Sequence, residues 1–64
     1  MRITRNKIKV LRMALGETQE EFSRRFGGRA ATVSDWEAGK RKPQPMAAKE
    51  IERLYKKIFF EKGA

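Results

Sequence analysis

The apolar positions fall into four groups separated by glycine and proline. In the first, Ile8, Leu11 and Leu15 recur at spacings of three and four, with Lys7, Lys9 and Arg12 between them. That is the period of one helical face. Thr4 or Asn6 suits the start of this helix, and Gly16 suits its end. The second group holds Phe22 and Phe26 on one face. It begins at Thr18, with Glu21 three residues later, which predicts a capping box. Gly27 can take the left-handed conformation that stops a helix. The third group places Val33 and Trp36 together and ends at Gly39. Its start is weakly marked: Arg29 is a poor cap, and Gly28 is the alternative. In the fourth, Pro45 fits a first turn, and Ala47, Ile51, Leu54 and Ile58 repeat at helical spacing. Tyr55, Phe59 and Phe60 widen that stripe near its end. No segment shows strand alternation. The pattern predicts an all-α fold, a compact bundle of four short helices near 5–15, 19–26, 30–37 and 45–60, in a single domain over 1–64.

Charge changes this picture. Sixteen basic residues stand against eight acidic ones in 64 residues, a net charge of +8. Such an excess points to a polyanionic partner. With no cysteine and no histidine, disulfide scaffolds, thiolate metal sites and cysteine or histidine catalysis are excluded. No cofactor or metal is expected. The acids Glu17, Glu20 and Glu21 lie at the start of a helix, where they favour the dipole, and no nucleophile–base arrangement accompanies them. The chain is therefore not expected to be an enzyme. No apolar run approaches the roughly 20 residues that span a bilayer. The basic stretch 1–7 is not followed by an apolar segment of the kind a signal peptide needs. The expected setting is cytoplasmic, at the nucleoid. A core of this size rarely supplies more than roughly 3–5 kcal/mol, so caps and self-association matter.

Two short helices joined by a glycine turn make a helix-turn-helix unit. Ser23 is the small residue where the helices approach, Gly27 permits the turn, and Phe22, Phe26, Val33 and Trp36 supply apolar contacts. The motifs Leu15-Gly16, Thr18-Gln19-Glu20-Glu21-Phe22, Phe26-Gly27, Thr32-Val33-Ser34 and Trp36-Glu37-Ala38-Gly39-Lys40-Arg41-Lys42-Pro43 follow in register. From about Ile8 to Pro45 the chain resembles the Cro/C1-type (XRE) helix-turn-helix family of phage repressors and bacterial regulators. Within it, the chain looks closest to short antitoxin-like members. The resemblance implies a lambda-repressor-like DNA-binding fold.

The resemblance also implies roles. Gln19 matches the glutamine that contacts phosphate and supports the recognition helix. Arg29, Ala30, Ala31, Thr32, Ser34 and Asp35 fall where that helix faces DNA. Lys40, Arg41 and Lys42 match a basic loop that grips the backbone. Arg12 and Glu37 match a structural ion pair between the first and third helices. Ala30 and Ala31 depart from the polar readers of richer members, since alanine makes no bidentate base contact but can touch a thymine methyl. Arg29 can read guanine or hold a phosphate. Asp35 can accept from cytosine or repel misplaced phosphates. Affinity then leans on backbone contacts, with sequence choice partly indirect.

The function expected is sequence-specific binding of double-stranded DNA by a transcriptional regulator or repressor, acting as a homodimer. The alternative is an antitoxin-like module that binds a toxin or other protein through its C-terminal apolar surface. A basic amphipathic fourth helix also suits a membrane surface, but the well-punctuated helices before it argue for a folded domain, and no membrane partner is expected.

Overall fold

A computed structural model of the chain describes residues 1–60. Four α-helices follow in order: α1 (Arg5–Ala14), α2 (Gln19–Arg24), α3 (Ala30–Ala38) and α4 (Pro45–Phe59). There are no strands among the described residues. The Thr4 hydroxyl accepts from the Lys7 amide and so caps α1, which settles the choice between Thr4 and Asn6. At α2 both halves of the capping box form. Thr18 Oγ1 accepts from the Glu21 amide at 3.1 Å, and Glu21 Oε1 accepts from the Thr18 amide at 2.9 Å.

The regular part of α2 is shorter than the apolar spacing predicts. The amides of Arg25 and Phe26 donate three residues back, to Phe22 and Ser23, which tightens the last turn. The Gly28 amide then reaches back to the Ser23 carbonyl at 3.0 Å, closing around Gly27 at φ +70°. That closure brings a second donor to the Ser23 carbonyl, which already accepts from the Phe26 amide, and ends the helix. Phe26 stays against the bundle, its ring 5.0 Å from Phe22 and 5.9 Å from Trp36 in edge contacts. The start of α3 is a correction to the cap assignment: Arg29, not Gly28, is the capping position, and no side chain caps it.

Ile8 and Leu11 from α1, Phe22 from α2, Val33 and Trp36 from α3, and Ile51 from α4 form the core. Among the described residues, Ser23 is the one buried polar residue, and its hydroxyl donates to the Glu20 carbonyl at 2.6 Å. Only the first half of the α4 stripe is covered. Ile51 is fully buried, whereas Ile58 is 42% exposed and Phe60 62% exposed. The apolar period continues beyond the bundle it helps to form. No helix among the described residues is long and apolar enough to cross a membrane.

Candidate nucleic-acid interface

The candidate surface begins with the outer face of α3. Arg29, Ala31 and Ser34 are exposed, while Ala30, Thr32 and Asp35 are half-buried. The opposite face carries Val33 and Trp36 into the core. One helix thus fixes its inward side by packing and leaves its outward side free. Its first turn has no acidic residue and no side-chain cap. The positive end of its dipole is therefore open to an anion.

The exit of α3 is built to hold a basic loop. Gly39 adopts φ +78°, a conformation costly for any side chain. This lets the Lys40 and Arg41 amides donate to the Asp35 carbonyl at 2.9 and 3.3 Å. The Asp35 carboxylate lies 3.7 Å from the Arg41 guanidinium. Asp35 thus faces the loop as well as the outer surface, so its carboxylate is already committed to a cation. Lys40, Arg41 and Lys42 are all exposed. From α1, the Arg5 guanidinium donates to the Ala38 carbonyl at 3.4 Å and lies over Gly39.

Behind this surface, three helices meet at Glu37. Arg12 Nε donates to Glu37 Oε2 at 2.6 Å, and Arg12 Nη2 to Glu37 Oε1 at 3.2 Å. Arg12 Nη1 donates to the Glu17 carbonyl at 2.9 Å. Gln19 Nε2 donates to Glu37 Oε1 at 3.2 Å. The glutamine that opens α2 is thus tied to α3 by one amide hydrogen, which leaves its second for another acceptor. Burial pushes the Glu37 carboxyl up, but hydrogen bonds from Arg12 and Gln19, with the charges of Arg12 and Lys9, outweigh it. The group sits below the ordinary carboxylate range. The Arg12 guanidinium is held above its ordinary value, chiefly by its hydrogen bond to Glu37.

A second pair clamps α2. Arg25 Nη2 donates to Glu17 Oε2 at 2.5 Å, and Arg25 Nε donates to the same carboxylate. The hydrogen bond from Arg25 holds Glu17 below the ordinary range, against a smaller effect of burial. This pair, the Gln19–Glu37 bond and the Arg5–Ala38 bond go beyond the sequence reading. Their partners are eight, 18 and 33 residues apart. No local spacing rule marks such contacts.

The helix-turn-helix family model matches residues 8–57, from within α1 to within α4. The chain belongs to the Cro/C1-type (XRE) helix-turn-helix family. Its all-helical bundle is the lambda-repressor-like arrangement of that family. The family is one of DNA-binding transcription regulators, generally without enzymatic activity. No curated protein and no solved structure matches the chain.

Proposed function

We propose that this chain is a sequence-specific double-stranded DNA-binding regulator, acting as a repressor in the cytoplasm, at the nucleoid. The observation that carries the reading is the outer surface of α3 and its basic loop: an uncapped helix start, exposed Arg29, Ala31 and Ser34, then exposed Lys40, Arg41 and Lys42, the first two tethered to the Asp35 carbonyl by their amides. In this reading α3 lies in the major groove. The small side chains of Ala30 and Ala31 let it approach closely, and Ala31 can meet a thymine methyl. Arg29 and Ser34 supply the polar readout. Thr32 and Asp35 act mainly from the edge of the surface, Thr32 against Gly28 and Asp35 through the loop. Gln19 donates its remaining amide hydrogen to a phosphate, while Lys40, Arg41 and Lys42 hold the backbone beyond the helix.

The protein acts as a homodimer in this account. Two-fold symmetry would set the recognition helices roughly 34 Å apart on an inverted repeat. Selection of bound duplexes from a random pool tests the proposal. Enrichment of an inverted repeat is the expected result, and no enrichment over the starting pool would overturn it.

A second reading has its own supporting observation. Ile58, Phe59 and Phe60 are exposed at the end of α4, and Tyr55 stacks near Phe59 with ring centres 4.6 Å apart. This apolar surface suits an antitoxin-like module that binds a toxin or another protein. Co-expression with a candidate partner distinguishes the readings: a stable complex lost in Phe60→Ser favours the module, and a homodimer lost in the same variant favours self-association.

A further inference from the structure

A second concave surface lies behind the basic loop, on the side of α3 away from Arg29 and Ser34. It is an open cleft of about 540 Å³ between the N-terminal segment, the 40–43 loop and the start of α4. Its floor is apolar, formed by Ile3, Ile8, Trp36, Pro43 and Ala48. Its rim is cationic: Arg2, Arg5, Arg41, Lys42 and Lys49 converge on it. Among the described residues, the one carboxylate that lines it, Glu52, is already paired, with Lys56 at 3.0 Å and with the Met1 amine at 3.3 Å. Among the described residues, no carboxylate lies within ion-pair distance of Arg2, Arg5, Lys42 or Lys49.

We infer that this cleft binds a small amphipathic anion, a carboxylate or phosphate on an apolar body, and that its occupancy competes with DNA. The volume lies within the range of small-molecule sites, about 300–1,000 Å³, and such sites pair a mostly apolar lining with a few convergent polar groups. Duplex phosphates explain the rim cations but not the floor, because a rigid duplex cannot place an apolar group against Trp36. A ligand with both parts satisfies both. Arg41 and Lys42 belong to the cleft and to the proposed phosphate loop. An anion bound there draws them from DNA and lowers the local positive potential. Only this last coupling rests on the DNA-binding reading; the cleft's affinity for an anion stands apart from it.

Trp36 is the only tryptophan in the chain, and it forms part of the floor. Its fluorescence therefore reports occupancy directly. The test uses the full chain with decanoate as probe and 1-decanol as the uncharged control. Decanoate is expected to give a saturable change in Trp36 emission that decanol does not match. Arg2→Ala and Lys49→Ala should each weaken decanoate about threefold, and Ala48→Phe should block it by filling the floor. No saturable change, an equal response to decanol, or wild-type binding by all three variants would overturn the site.

A second arm measures duplex affinity with and without decanoate, which is expected to weaken it. If the duplex binds and decanoate leaves its affinity unchanged, the competition is refuted. If Arg2→Ala and Lys49→Ala weaken duplex but not decanoate, the rim serves phosphates and the small-anion site is refuted. If no duplex binds at all, the DNA-binding reading fails, and Trp36 emission still decides the cleft.

Discussion

The α2–α3 unit and the end of α4 are both amphipathic helix, yet they finish differently. In the first, the large apolar side chains Phe22, Phe26, Val33 and Trp36 all pack into the core or against it, and the polar side chains at the back are also committed. Phe22, Phe26 and Trp36 contact edge to face, while Arg12, Gln19 and Glu37 bridge three helices. In the second, Phe59 and Phe60 both contact the half-buried Tyr55 but are themselves exposed, at 37% and 62%. The difference separates two demands on one small chain. A groove-reading surface must be held at a fixed angle, which needs a saturated interior. An associating surface must leave apolar area exposed until its partner arrives.

The largest expected effect breaks that contrast at its centre. Phe22→Ala should cost about 4 kcal/mol, comparable to the roughly 3–5 kcal/mol that a core this size supplies at most. Thermal circular dichroism should show lost cooperative unfolding. Phe60→Ser, of similar chemistry but at 62% exposure, should leave monomer stability within about 0.5 kcal/mol. Equal losses in the two variants would erase the distinction between the regions.

Glu37→Leu comes next. It leaves the Arg12 guanidinium at 17% exposure without its carboxylate, and should cost about 3 kcal/mol in urea denaturation. Arg12→Met combined with Glu37→Leu should recover most of that loss, because no charge is then stranded. A double variant as unstable as the single one would place the damage in packing instead.

Acid probes the same network more gently. Glu37 and Glu17 are both held below the ordinary carboxylate range in the folded chain. Each therefore binds protons more weakly folded than unfolded. Their contribution is complete above the unfolded carboxylate range and is lost as pH falls through the depressed folded values. Denaturation midpoints should stay level from neutral pH down to that range and then drop. Arg12→Met should show a shallower acid loss than the parent.

Smaller effects sharpen the account at the helix ends. Thr18→Ala removes the capping box and should cost about 1 kcal/mol. Gly39→Ala should cost about 1 kcal/mol through its left-handed φ. Its new Cβ would also lie 3.1 Å from Arg5 Nη1, so the basic loop should shift. Duplex affinity should then fall in Gly39→Ala and hold in Thr18→Ala at temperatures where both are folded.

Much of the helical framework is visible in the chain because its signals are local. Period, glycine stops and the Thr18–Glu21 spacing each concern neighbouring residues. The ties that fix Gln19, Arg25 and Arg5 depend on how close separate helices come, and periodicity carries no such information. Helical spacing also treats Ile51 and Ile58 alike. It reports which residues share a stripe, not where the protein beneath that stripe ends. The resemblance puts Asp35 on the outer face of its helix, but its hold on the loop depends on the turn at Gly39.

In the proposed function, the α3 surface and its loop hold DNA through phosphates. Anisotropy titration of a selected duplex across salt tests it most directly. Three loop cations on each of two protomers predict a slope of log affinity against log salt of about −5. Replacing Lys40, Arg41 and Lys42 by alanine should flatten that slope while leaving the fold intact. A flat salt dependence in the parent, or an unchanged slope in the triple variant, would contradict the account.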